Sequence, residues 1–213
     1  MDMQGGRRDT DNTDSAVSRS IPDHKDDEAL LKRVAAKDKN AFEQLYFQYH
    51  RKLYQFLLRI VHNPEAAEEL LNDVMYVVWN KATTFKGQAK VSTWIFGIAY
   101  RKALKEREQT KRRPEASNDA ELPDFQDLGW NTCPEEWLAS AEFSRVLKQS
   151  IASLGAEHRS VVELTALGHT YKEISEVMNC PENTVKTRMF YARRQMKTFF
   201  SKALVTQKHT SQH

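Results

Sequence analysis

The sequence predicts an all-α protein built of two small helical modules joined by a flexible polar linker. Three observations carry this. No segment holds the alternation of a strand, and apolar residues recur at three- and four-residue steps from Leu30 to Phe199. Between Pro114 and Pro134 that rhythm stops, and Asn, Asp, Glu, Pro and Gly take over.

Residues 1–27 hold almost no apolar side chains and cannot bury enough surface to offset their ordering entropy, so a disordered tail is expected there. The first module is expected over residues 28–113. Leu30, Leu31 and Val34 begin a short helix, and Asp38 is suited to cap the next. That helix carries Phe42, Leu45, Tyr46, Tyr49, Leu53, Phe56, Leu57 and Ile60 on one stripe. Asn63-Pro64-Glu65 restarts the chain as cap, proline and acid, with Ala67, Leu71, Val74 and Val78 turned inward. Lys86-Gly87-Gln88 marks a loop, after which Ser92 or Thr93 can cap a helix from Trp94 to about Arg112.

Residues 114–134 form the linker. The second module, residues 135–204, opens with Trp137, Leu138 and Ala141 and continues through Val146, Leu147 and Ile151. A further helix carries Val161, Val162 and Leu164 and ends near Gly168, and residues 205–213 are left as a tail.

Bulk properties exclude several function classes. The chain has 213 residues and a net charge of +3, too modest to identify a partner by itself. No apolar run approaches the roughly eighteen residues of a membrane span, and the N-terminus lacks a signal peptide's apolar core. Cys133 and Cys180 lie far apart without metal spacing, as in a reduced cytoplasmic protein, and a lone cysteine is more often inert than a redox sensor. There is no phosphate-binding glycine loop, nucleophile motif or metal-ligand cluster, and His50, His62, His158 and His169 are scattered. No enzymatic activity, cofactor or metal is therefore expected.

The stretch TYKEISEVMNCPENTVKTRMFYARRQM reads as two helices and a tight turn. Thr170 and Glu173 stand at capping-box spacing, which starts a helix at Tyr171 with Ile174, Val177 and Met178 inward. The turn is Asn179-Cys180, and Pro181 suits the first position of the next helix. Val185, Met189, Ala192, Met196 and Phe199 make its buried stripe, while Thr184, Thr187, Arg188, Tyr191 and Arg194 face outward. Short hydroxyls and arginines near the start of such a helix can reach bases and phosphates in a major groove. The competing reading is a helical hairpin with a solvated basic face.

The helix from Trp94 is a second nucleic-acid candidate. Trp94, Phe96 and Tyr100 interleave with Arg101, Lys102, Lys105, Arg107 and the Lys111–Arg113 run. Cations hold phosphates and aromatic faces stack unpaired bases. Alternatively Trp94, Phe96 and Ile98 are core. The preceding polar face of Glu68, Glu69, Asn72, Asp73 and Tyr76 is either solvated or a protein-docking face.

Together, AAEELLNDVMYVVW, TFKGQAKVSTWIFGIAYRKAL and the tethered helix-turn-helix resemble the extracytoplasmic-function type of bacterial RNA polymerase sigma factor. The resemblance implies a dissociable subunit that directs promoter-specific initiation. Its partners would be core RNA polymerase, double-stranded and melted promoter DNA, and an anti-sigma factor that clamps both modules. It implies polymerase docking through Glu69, Asn72, Asp73 and Tyr76. The loop of Phe85, Lys86, Gly87 and Ser92 would receive a flipped base. Trp94, Tyr100, Arg101 and Lys105 would read the minus-ten element, and Thr184, Lys186, Thr187, Arg188 and Tyr191 the minus-thirty-five element. Arg101 departs from the family's frequent asparagine, and a guanidinium lacks the amide's acceptor. Gly155 replaces a frequent proline; Ser175 and Asn183 replace an alanine and a glycine. The rival function is an autonomous helix-turn-helix regulator, which would need neither a melting surface nor a polymerase face. Away from the polymerase, the two modules could fold back on each other and hide both DNA faces.

Overall fold

The computed structural model describes residues 24–111 and 141–210. The expected linker, the tail up to residue 23, Arg112, Arg113, Cys133, Trp137 and Leu138 lie outside them. Eight α-helices are present among the described residues, with no strand: α1 His24–Ala35, α2 Lys39–Val61, α3 Pro64–Lys81, α4 Val91–Lys111, α5 Ala141–Ala152, α6 Ala156–Ala166, α7 Tyr171–Met178 and α8 Glu182–Thr210. A single 3-10 turn, Ala82–Thr84, follows α3.

Local chemistry sets the boundaries. Asp38 caps α2 by accepting from the backbone N–H groups of Asn40 and Ala41 at 2.9 and 3.2 Å, which lowers its carboxyl pKa. Asn63 caps α3, with Pro64 in the first turn. Thr170 and Glu173 form the reciprocal capping box of α7. Asn179 ends α7 at φ 50° and ψ 52°, a left-handed turn that a short polar side chain tolerates.

Four boundaries differ from the sequence expectation. Residues 24–27 belong to α1 rather than to a tail, because Asp27 is buried and accepts from Gln48 and, at 2.5 Å, from the Tyr49 hydroxyl. Burial and the nearby carboxylate push the Tyr49 phenol pKa well up. Helix α4 begins at Val91, so Ser92 and Thr93 lie inside its first turn instead of capping it. Pro181 precedes α8, its carbonyl accepting from Thr184 N–H at 2.9 Å, so it sits at the cap rather than the first helical position. At the far end α8 runs to Thr210, past the boundary at residue 204.

Helix α2 is the spine of the first module and packs against α1, α3 and α4. Leu45, Leu53, Phe56, Leu57, Leu71, Val74 and Ile95 are essentially inaccessible to solvent. In the second module α8 packs against α5, α6 and α7, burying Val161, Leu164, Ile174, Val185 and Ala192. Phe42, Tyr46 and Phe199, read as stripe residues, are half-buried. The modules also touch: α7 lies along α4, and α6 reaches α2, so one apolar cluster runs through both.

Candidate nucleic-acid interface

Between the 3-10 turn and α4 lies a cavity of about 270 Å³. Thr84, Phe85, Lys86, Trp94 and Arg101 line it, and Glu176 of α7 closes one side. The Phe85 and Trp94 rings stand 5.6 Å apart and tilted by 59°, two aromatic walls for a flat guest. Gly87, at φ 68°, turns the loop beside them. Thr93 is buried, and its hydroxyl has no hydrogen-bond partner among the described residues.

The residues singled out on α4 divide. Ser92 and Trp94 are half-buried, while Lys86, Arg101 and Lys105 are exposed cations around the loop and helix. Tyr100 is only 3% exposed, and burial followed by the nearby Glu157 carboxylate raises its phenol pKa to about 12. Phe96 and Ile98 are core; Phe96 meets Phe56 at 5.2 Å. Glu69, Asn72, Asp73 and Tyr76 share the exposed side of α3, where Asp73 pairs with Lys102 at 2.6 Å.

On α8, Lys186, Thr187 and Tyr191 are exposed, while Thr184 and Arg188 are half-buried. Arg188 pairs with Glu157 at 2.7 Å and approaches the Cys180 sulfur at 3.5 Å; Lys186 pairs with Glu182 one turn back at 2.8 Å. Phe190 and Tyr191 project as neighbouring rings 5.5 Å apart. Phe190 and the exposed Phe47 of α2 escaped the sequence reading, although both fall off the apolar stripes of their helices.

Several polar contacts join the modules beside the apolar cluster that runs through both. Arg59 of α2 and Glu163 of α6 form an ion pair buried from solvent. Arg159 donates to the carbonyls of Arg59 at 2.7 Å, Ile151 at 3.1 Å and Leu154 at 2.8 Å, and also meets His62. Lys90, ahead of α4, pairs with Glu173 of α7 at 2.7 Å, and His169 packs its ring on Phe96 at 5.3 Å. Burial raises the Glu163 pKa to about 7 against the pull of Arg59, lowers His169 to about 4 and lowers Arg159 to about 10. The legible signal was a charge set in an apolar run: Arg59 before Ile60, and Glu163 between Val162 and Leu164.

Residues 45–113 match sigma-70 region 2, and residues 144–196 match sigma-70 region 4. The chain is 30% identical over 173 residues to the ECF RNA polymerase sigma-E factor of Haemophilus influenzae, covering 78% of this chain and 91% of that protein. It belongs to the extracytoplasmic-function family of RNA polymerase sigma factors. The RNA polymerase sigma-H factor of Pseudomonas aeruginosa is 29% identical to this sigma factor over 176 residues, covering 78% of this chain and 90% of that one. The fold agrees with two solved structures, each at 19% identity. CnrH, solved with the cytosolic domain of CnrY, has a TM-score of 0.60 and is matched over 97% of its chain and 83% of this one. RpoE from Bartonella quintana, solved with the anti-sigma factor NepR, has a TM-score of 0.58 over 96% of its chain and 75% of this one. As a sigma factor, the protein directs promoter-specific transcription initiation by RNA polymerase. No described helix is long and apolar enough to cross a membrane, and no described group of three or more His, Cys, Asp or Glu side chains could hold a metal.

Proposed function

We propose a division of labour along the chain. The exposed side of α3, through Glu69, Asn72, Asp73 and Tyr76, docks on core RNA polymerase. The cavity between Phe85 and Trp94 takes a base from the melted minus-ten element, with Lys86, Ser92, Tyr100, Arg101 and Lys105 beside the strand. Helix α8 reads the minus-thirty-five duplex through Thr184, Lys186, Thr187, Arg188 and Tyr191. The observation that carries this reading is the pairing of two surfaces in one chain: an aromatic-walled cavity rimmed by cations, and a separate helix of exposed hydroxyls and cations. Aromatic walls suit an unstacked base, whose extrusion from the duplex costs a few kcal/mol and is recovered by contacts inside a pocket. Exposed hydroxyls and guanidinium groups on a helix suit duplex readout.

In this reading the factor works in the cytoplasm, has no turnover of its own and leaves chemistry to the polymerase. It is held in check by an anti-sigma protein, as the partner of the Bartonella relative suggests. Transcription from a promoter-fragment library by core polymerase, with and without the factor, tests the whole reading. Start-site-specific transcripts are expected only with the factor. Specific duplex binding without transcripts would favour an autonomous regulator instead.

A further inference from the structure

Trp94, Gly97 and Arg101 follow one another at three- and four-residue steps on α4 and form one wall of the cavity. Gly97 is the gap in that wall. Glycine inside a helix is weaker than alanine, and here the missing side chain leaves a place that Arg101 takes. Helical side chains lean toward the N-terminus, so Arg101 reaches back over Gly97. A Cβ at Gly97 would already touch its Nη1 at 3.4 Å and Nη2 at 3.8 Å, so a side chain longer than alanine's would displace the guanidinium. Arg101 makes no ion pair or hydrogen bond with another described residue, which leaves its N–H fork for a guest.

Thr93 adds a second polar group to the wall. It is 3% exposed, and its hydroxyl lacks a partner among the described residues. A buried hydroxyl without a partner is costly, and a polar guest edge at this wall would supply one. Thr93 precedes Gly97 by one turn, so the two polar groups stand about 5.4 Å apart along the axis, close to the width of a base.

This arrangement discriminates between bases. A guanidinium fork needs two acceptors side by side, and guanine offers O6 and N7. Adenine sets its N6 donor beside N7, and thymine sets a methyl group beside O4. Unpaired cytosine does offer N3 and O2 together. Stacking then decides, because a purine presents the larger face to Phe85 and Trp94.

We propose that the cavity selects guanine: Arg101, bedded on Gly97, reads O6 and N7, and Thr93 pairs with the N–H edge of the same base. This rests on reading the cavity as the site of a base from the melted strand, and the experiment keeps the two claims apart.

The factor is assembled with core RNA polymerase and titrated with fluorescent single-stranded oligonucleotides. Each carries one base, G, A, C or T, in a run of abasic sites. Guanine should bind about tenfold more tightly than each of the others. Arg101→Asn should move the preference to adenine, because a side-chain amide pairs with N6 and N7. Arg101→Lys should narrow the guanine preference although it keeps the charge, because an ammonium has no fork. Guanine preference that survives Arg101→Asn overturns the assignment. Gln88 also lines the cavity and carries an amide, so a wild-type preference for adenine that disappears in Gln88→Ala would make Gln88 the reader and overturn it too. A preference for cytosine, or equal affinity for all four bases above the fully abasic strand, overturns guanine selection and leaves the cavity reading standing. If no base improves on the abasic strand and Trp94→Ala binds as the wild type does, the cavity reading fails and the selection falls with it.

Discussion

Arg59 and Glu163 stand 104 residues apart in sequence and meet with both side chains only 2% exposed, one on each module. A buried ion pair contributes little net stability, yet removing one partner strands a charge. Arg59→Ala should therefore destabilise the closed arrangement by about 3–5 kcal/mol, whereas Arg59→Met with Glu163→Leu should leave it closed. Scattering dimensions and limited proteolysis distinguish the two. An opened double variant would show that charge, not packing, holds the modules together.

Closure should respond to pH through two buried groups of opposite sign. His169 faces Glu173, Lys90 and Lys52, packs on Phe96, and has its pKa lowered by burial to about 4 from 6.5. Its contribution to closure is complete above pH 6.5 and is lost as pH falls toward 4. Glu163, raised to about 7 from 4.5, contributes fully below pH 4.5 and less as pH rises through 7. In the Arg59→Met with Glu163→Leu background, acidification from neutral pH to 5 should open the chain through His169; adding His169→Gln should abolish that response. Identical scattering profiles for both variants would refute the assignment.

Arg188→Ala should weaken binding to minus-thirty-five duplex by about 1–3 kcal/mol if the guanidinium contacts a base. Its partner Glu157 is largely exposed, so losing that pair should cost under ~1 kcal/mol of stability. Equal losses on specific and random duplex would reduce Arg188 to a phosphate contact.

Trp94→Ala should leave duplex binding intact and impair strand opening, read as loss of thymine reactivity to permanganate in polymerase–promoter complexes. Because Trp94 also packs on Phe85, Trp94→Phe serves as control and should retain most opening. Equal failure of both variants would point to lost packing.

Asp73→Lys reverses the charge of an exposed residue proposed to dock on the polymerase and breaks its pair with Lys102. Polymerase affinity should fall at least tenfold, about 1.4 kcal/mol, while helicity stays unchanged. Undiminished affinity for core enzyme would remove this side of α3 from the docking surface.

Much of this was legible from residue order. Caps at Asp38, Asn63 and Thr170 set helix starts because a side chain accepting from the first backbone N–H groups is a local event. The buried stripes followed from helical period. Three things needed the third dimension. Asp27 joins a helix because Gln48 and Tyr49, a full helix away, satisfy its carboxylate. Tyr100 follows buried Phe96 by four residues on α4, but its neighbours Glu157, Arg188 and Cys180 come from the second module, which no local pattern gives. The partnership of Arg59 with Glu163 depends on how the modules dock, which no local pattern encodes.

Arg159 shows how such a contact can be released. Its guanidinium donates to Ile151, Ala152 and Leu154 at the C-terminal end of α5, and with another of its hydrogens to Arg59 near the end of α2. The first set lies within its own module. When the halves part, Arg159 stays moored to α5, and the α2 carbonyl it leaves turns to solvent. A variant at Arg159 therefore disturbs the end of α5 as well as the contact with α2.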